Sequence, residues 1–306
     1  MGESPWGDPP ALVPAGGPAF SSLGSSRGRP RLRGKRALAV SVLSTLLLLG
    51  VLLGAFFLAP GSAQVRETFF NLKAMRIALT GDPSNGIFSV PAALLLNIEM
   101  FLGAEVLILI LAMVIALVRQ LQGPVFFPYR MLAIAYTDFF RGVPLILVIY
   151  AIGFGVPALN MAGVSTQATW VYGVAALVLS YSAYVSEVYR AGIESVHPSQ
   201  VAAARSLGLN HWQALRAVVM PQAVRRVVPP LLNDFISLQK DTALVAVLGV
   251  IEANRAAGIF SSTRFNYTGY TVAALLFLGL TVPLARFTDY LTARDRRRRQ
   301  TASAIR

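Results

Sequence analysis

Ser199-Gln200-Val201-Ala202-Ala203-Ala204-Arg205-Ser206-Leu207-Gly208-Leu209-Asn210-His211-Trp212-Gln213, continuing through Arg216 to Val218-Val219-Met220-Pro221, decides how the whole chain reads. It reads as two short helices joined by a sharp turn. Ser199 can cap the first helix, and Gly208 suits the left-handed position after its last turn, where a Cβ would be strained. Asn210 is a good N-cap for the second, and Gln213, three residues on, can reach back to complete a capping box. The segment is soluble in character, yet long apolar runs flank it on both sides. It is therefore a large loop held at one face of a membrane.

Composition agrees with that placement. Of 306 residues, 55% are hydrophobic and only 13% are charged, too little polar surface for a soluble fold of this length. The absence of cysteine excludes a disulfide framework, a thiol nucleophile and a cysteine-ligated metal. His197 and His211 are the two histidines; they flank the turn loop rather than cluster, so neither a metal nor a cofactor site is expected. The net charge of +13 sits in blocks beside apolar runs, which points to anionic lipid headgroups and away from nucleic acid.

Residues 1–36 are rich in Gly, Pro, Ser and Arg and read as a disordered basic tail, ending in Arg27, Arg29, Arg31, Arg33, Lys35 and Arg36. The uncharged run from Ala37 to Ala59 is long enough to span a bilayer. A signal peptide is the rival reading, but the run exceeds a signal's apolar region, and Phe57-Leu58-Ala59-Pro60 is a poor cleavage site. Residues 60–91 form an extracytoplasmic loop with a candidate interfacial helix and a turn at Gly81-Asp82-Pro83. Apolar runs recur at 92–118, 131–157, 169–189, 231–251 and 270–290, which makes six spans. The expected fold is an all-α multi-pass membrane bundle.

Lysines and arginines orient it. With the N-terminus inside, the inner segments (the tail, 119–130, 190–230 and 286 onward) hold 20 of them, and the outer loops hold 5. That bias places both termini and the turn loop in the cytoplasm. The basic end from residue 291 to 306, with Arg294 to Arg299, then lies against anionic lipid.

Charges within spans are costly and need a partner or a wet cavity. Asp138 and Arg141 stand three residues apart on one helical face, where they can pair. Lys240 and Asp241 sit near the middle of the 231–251 run and, being adjacent, face different partners. Glu99 and Glu105 lie in the second span, and Glu187 sits near a cytoplasmic end, where water can solvate it. The residues alone leave two readings open for Asp138, Arg141, Lys240 and Asp241: ion pairs that lock the bundle, or a polar lining for a zwitterionic solute.

The string Ala-Ala-Ala, three residues, Gly, nine residues, Val-x-Met-Pro resembles the EAA loop of ABC importer permeases, which docks on the cytoplasmic ATPase. Asp138-Phe139-Phe140-Arg141-Gly142-Val143-Pro144-Leu145 looks like the Phe-Arg-Gly-x-Pro segment of polar amino acid permeases, and Glu187-Val188-Tyr189-Arg190-Ala191-Gly192-Ile193 like the lead-in to their loop. Pro221-Gln222-Ala223, Pro229-Pro230, Asn233-Asp234-Phe235-Ile236 and Lys240-Asp241-Thr242-Ala243-Leu244 match the stretch on the C-terminal side of that loop. The likeness covers about residues 92–290. Three positions depart from the pattern: Ala202 stands where a glutamate is usual, Ser199 where a glycine is, and Ala243 where serine is more common.

The resemblance implies a type I importer permease in a bacterial plasma membrane, carrying a polar or charged amino acid of the glutamate, glutamine, arginine or histidine type. Gln200, Ala202, Ala203, Ala204, Gly208 and Pro221 would meet the ATPase, and Asp138, Arg141, Lys240, Asp241 and Thr242 would line the solute path. Family members usually have five spans, so the run at 37–59 would be an extra N-terminal helix. No phosphate-binding Gly-x-x-x-x-Gly-Lys-Ser/Thr loop is present, so the ATPase, and the ATP it binds, must belong to another chain. The implied partners are cytoplasmic ATPase subunits, a second permease subunit (the same chain or a relative), an extracytoplasmic solute-binding protein and membrane lipid. An ion-gradient-driven secondary transporter is the alternative, though no internal repeat is visible. A membrane enzyme would need a converging nucleophile, acid and base, which the sequence lacks.

Overall fold

The computed structural model describes residues 35–304, side chains excepted at 35–38, 211 and 295–306. The expected tail up to residue 34 and the side chains of Arg296 to Arg299 lie outside that description. The chain divides into two units, Met1–Ser62 and Ala63–Arg306. In the first, α1 (Lys35–Leu58) is apolar around its circumference. The hydroxyls of Ser44 and Thr45 donate to the carbonyl of Ser41 at 3.0 and 2.8 Å, so they are satisfied within the helix, as lipid requires.

The segment expected to hold one interfacial helix holds two, α2 (Ser62–Phe69) and α3 (Leu72–Thr80), because Asn71 interrupts it and caps α3 by accepting from the N–H of Ala74 at 3.0 Å. Next come α4 (Val90–Gln120), α5 (Phe127–Gly142), α6 (Leu145–Tyr150), a π-helical turn and α7 (Val156–Ala158). The chain goes on through α8 (Thr169–Glu194), α9 (Pro198–Ser206), α10 (His211–Ala214), a π turn over Leu215–Val219 and α11 (Met220–Asp241). A 3-10 segment (Thr242–Leu248), α12 (Ala253–Arg264) and α13 (Thr268–Ala304) complete it. No strand occurs among the described residues.

Among the described residues, four helices are long and apolar enough to cross a membrane: Ala39–Leu58, Val90–Gln120, Thr169–Glu194 and Thr268–Arg294. Six spans result if each of two bent pairs counts as one. The run expected at 131–157 is not straight. Pro144 has no N–H and pushes Val143 into extended backbone (φ −92°, ψ 130°), so α5 stops at Gly142 and the next helix leaves at 107°.

The span expected at 231–251 also differs. It begins far upstream, since α10, the π turn and α11 run on without interruption, and its α-helical part ends at Asp241. Pro221 cannot offer an N–H to the carbonyl of Ala217, and the widened turn just before it absorbs the ring. Within the loop expected at 190–230, the second of the two short helices therefore does not stop but runs on into α11.

Two apolar clusters hold the second unit together. In the larger, Met100 and Ile108 of α4, Ile149 of α6, Leu177 and Val185 of α8 and Leu238 of α11 are all buried. Helices α8 and α11 approach closely at Gly192, where a Cβ would run into a Val227 methyl. The smaller cluster joins Ala78, Val90, Phe260 and Val272 from α3, α4, α12 and α13.

A buried polar network spans the gap between them. Asn97 of α4 donates to Glu252 Oε2 at 2.9 Å and to Thr242 Oγ1 at 3.1 Å, while its own carbonyl oxygen accepts from the N–H of Ala253 at 3.0 Å. Glu252 also accepts from the N–H groups of Asn254 and Arg255 at 3.0 and 2.7 Å, so it caps α12.

The two segments counted as outer loops meet at one end of this unit. Arg264 pairs with Asp82 at 2.8 Å, Tyr267 N–H donates to the Thr68 carbonyl at 2.9 Å, and Asn266 donates to that of Glu67 at 2.9 Å. Hydrogen bonds from Ser84 and Asn85, and then Arg264, hold the Asp82 carboxyl below the usual carboxylate range, so this clamp stays charged until the pH falls through that lowered value. Helix direction puts α9 and the last turns of α4 and α8 at the opposite end.

Replacing Asn97 with Leu leaves Glu252, Thr242 and the Ala253 N–H short of partners in a dry site. The expected cost is about 2 kcal/mol or more, read as a lowered unfolding temperature of the purified protein in detergent. An unchanged temperature would show that the network does not hold α4 to the break.

Candidate functional site

Local hydrogen bonds tie down both ends of α9 and the start of α10. His197, not Ser199, caps α9: its Nδ1 accepts from the N–H of Ser199 at 3.2 Å and lies 2.7 Å from that residue's hydroxyl. Pro198 explains the shift, since its fixed φ suits the first helical position and moves the cap one residue upstream of it.

At the other end Gly208 adopts φ +84°. Its N–H donates to the Arg205 carbonyl at 3.0 Å, and that of Leu209 to Ala204 at 3.3 Å, which is the Schellman pattern. Asn210 and Gln213 exchange side-chain to backbone bonds at 2.9 Å each, the reciprocal box the sequence implies.

Gln200, Ala202 and Ala203 are left facing outward from this frame, while Ala204 is buried. Pro221 lies beyond the loop, in the first turn of α11. Sequence reasoning missed the most prominent feature: Leu207 is 82% and Trp212 74% exposed, two large apolar side chains on a polar loop.

The charged positions fall into a second site. Arg141, in the last turn of α5, lies 5.9 Å from the centre of the Tyr184 ring, and the Tyr184 hydroxyl donates to the Arg141 carbonyl at 3.3 Å. One turn back on α8, Tyr181 donates to Asp241 at 2.6 Å, and the two tyrosine rings are 6.4 Å apart. The tyrosines thus string Arg141 and Asp241 together. Their spacing of three within an apolar run was the available signal.

Other expectations need correction. Asp138 and Arg141 form no ion pair; Asp138 is exposed, and Arg141 turns across to Tyr184 instead. Lys240 and Asp241 do find different surroundings, with Lys240 exposed. Thr242 sits in the buried network with Asn97. Glu187 is not merely solvated: Arg119 of α4 reaches it at 2.7 Å, and Arg190 bonds both Glu187 and Glu194.

Arg141, Tyr184, Glu187, Arg226 and Asp234 line a cleft of about 350 Å³ between α5, α8 and α11. The sequence marks Asp234 only as one residue of a motif, and in the fold its Oδ2 is buried without a hydrogen-bond partner.

The Arg119–Glu187 bond is partly buried, at 15% and 23% side-chain exposure. Arg119→Gln or Glu187→Gln alone should lower stability by about 1–2 kcal/mol, and the pair together by less than the sum. Thermal unfolding of the four proteins measures the coupling, and strict additivity would show that the bond ties nothing together.

Over residues 110–297 the chain matches the family described as binding-protein-dependent transport system inner membrane component. It is 36% identical over 178 residues to the probable glutamine ABC transporter permease protein GlnM of Bacillus subtilis (strain 168), covering 58% of this chain and 81% of that one. It is 34% identical over 201 residues to the probable amino-acid ABC transporter permease protein PatM of Vibrio harveyi, covering 65% and 87%. In structure it is similar to a chain of the crystal structure of an amino acid ABC transporter with histidines, with a TM-score of 0.61 at 30% identity, covering 67% of this chain and 93% of that one. The family match takes in more than half of this sequence, including α5, α8, the turn loop and α11. The chain belongs to the family of inner membrane components of binding-protein-dependent transport systems.

Proposed function

We propose that this chain is the membrane-spanning subunit of an ATP-driven importer of polar amino acids, coupled to a separate ATPase through the loop that carries α9. The observation that carries the reading is the loop itself. Its backbone ends are tied off internally, so the exposed Leu207 and Trp212 are presented on a rigid mount. Such side chains gain most by burial against another protein.

The α10–α11 helix begins within that loop and runs to Asp241, so a push on α9 and Trp212 has a continuous rod along which to act. ATPase closure moves the loop, the rod shifts against α8, and access alternates between the two sides. A second permease subunit completes the path, and a solute-binding protein delivers at the far end. Arg141, Lys240 and Asp241, with Tyr181 and Tyr184 beside them, form the polar side of the route. Asp138 faces outward from α5, and Thr242 positions Asp241 from the buried network.

The bias of basic residues supports an orientation with α9 in the cytoplasm and Asp82 and Arg264 outside. A chain without cysteine suits single-cysteine labelling. From outside intact cells, an impermeant reagent should label Thr263→Cys and leave Gln213→Cys untouched, and the reverse would invert the orientation.

Coupling has its own test. Gly208→Val forces a β-branched residue into a left-handed turn, at a cost of about 1–3 kcal/mol that falls on the loop and not on the spans. Solute-stimulated ATP hydrolysis should drop several-fold while membrane insertion is kept. Full stimulation in the variant would remove the loop from the coupling path.

A further inference from the structure

We propose that a cleft between α11 and α13 binds one anionic phospholipid, with its phosphate on Arg225 and Arg294 and its acyl chains along the apolar wall beside them. The inference stands apart from the importer reading and needs no assumption about what the chain carries. The cleft has a volume of about 330 Å³, and its walls include Val224, Arg225, Val228 and Leu232 of α11 and Leu291 and Arg294 of α13. No carboxylate lines it among the described residues, and both arginines are exposed.

The register of the two helices brings the arginines to one level. Thr281 of α13 donates to Gln239 Oε1 of α11 at 2.8 Å, and the same two helices meet again at the cleft, so they run in opposite directions. Counting back from Gln239 to Arg225, and forward from Thr281 to Arg294, each arginine lies about 20 Å from that bond at the α-helical rise. Each helix also sorts charge from hydrocarbon along its cleft face. On α11, Val228 and Leu232 stand one and two turns nearer the bond than Arg225, and on α13 Leu291 stands one turn nearer than Arg294. The cleft is therefore cationic at one end and apolar at the other.

Its position suits a lipid. Arg294 closes the apolar stretch Thr268–Arg294, so the cationic end lies where hydrocarbon gives way to headgroups. Phe287 and Tyr290, in the preceding turns of α13, are exposed, as aromatic side chains at that boundary are. A soluble anion would offset the repulsion between two like charges but leave the apolar wall uncovered, and an uncharged lipid would do the reverse. A phospholipid with net negative charge does both, and basic clefts between membrane helices recognise such headgroups. The run Arg296 to Arg299 that follows adds to the attraction for an anionic surface.

The test uses the full chain, purified in neutral detergent, and native mass spectrometry with phosphatidylglycerol or phosphatidylcholine of identical acyl chains. One phosphatidylglycerol should bind per chain, about tenfold or more tighter than phosphatidylcholine. Arg225→Gln and Arg294→Gln should each weaken it about fivefold, the weight of one basic residue near an anionic surface, and leave phosphatidylcholine unmoved. Arg205→Gln with Arg216→Gln removes as much charge from exposed positions in the turn loop and should leave the affinity where it was. Equal binding of the two lipids would leave the cleft to a protein partner and overturn the site, and so would the same loss in the loop variant as in the cleft variants.

Glycerol 1-phosphate, which carries the phosphate without the chains, should not displace the lipid. Displacement would make the cleft a soluble-phosphate site and overturn the lipid assignment. Phosphatidylglycerol should also raise the unfolding temperature of the wild type, as a ligand of the folded state does, and fail to raise that of the Arg225→Gln, Arg294→Gln double variant. The single variants carry this measurement if the double variant does not fold, and an undiminished rise in the variants would place the lipid elsewhere.

Discussion

Glu252 is wholly enclosed, and the break in the fifth membrane segment depends on it. Where the 3-10 segment ends and α12 begins, the first N–H groups of the new helix have no carbonyl behind them. In hydrocarbon no water can serve them. The Glu252 carboxylate takes two of these groups and the Asn97 amide a third, and the same amide spans to Thr242. A helix interruption that a bilayer would otherwise penalise heavily becomes a fixed joint against α4.

That joint has consequences at a distance. By anchoring Thr242, it fixes where α11 ends and hence where Asp241 points, toward Tyr181 of α8. At the other end of the same helix the capping box of Asn210 and Gln213 fixes where the rod begins. One continuous element therefore has its two ends pinned by local chemistry, one in the proposed docking loop and one beside the charged groups of the proposed route. Between them lie Asp234 and the close approach to α8 at Gly192. On the importer reading this is the mechanical link between ATPase and solute, and it needs no relay of side chains.

How much of this was legible in the sequence depends on the range of the interaction. The turn at Gly208 and the box at Asn210 and Gln213 could be read because capping partners lie within a few residues of each other. The long spans could be read because lipid demands a length of apolar helix. The cap at His197 was missed, since Ser199 looked adequate and the effect of Pro198 on register outweighed it. The tyrosine string from Arg141 to Asp241 and the Arg119–Glu187 bond were not legible, because they depend on how helices rotate against one another. Periodicity sets the face of a helix but not its partner. The same blindness made Asp138 and Arg141 look like a pair: three residues apart on one helix, they were each other's nearest visible option, while Tyr184 was hidden a helix away. The outward Leu207 and Trp212 stood in plain sight, but nothing local says that an apolar residue on a polar loop will be left uncovered.

The central claim is that this chain moves solute because a separate ATPase pushes on it. Proteoliposomes holding the chain with its ATPase, an external binding protein and a labelled amino acid mixture test it most directly, with ATP enclosed on the ATPase side and no ion gradient. The account predicts accumulation that requires ATP and stops when the ATPase is left out. Accumulation driven by an imposed proton or sodium gradient, in the absence of ATPase and ATP, would contradict it.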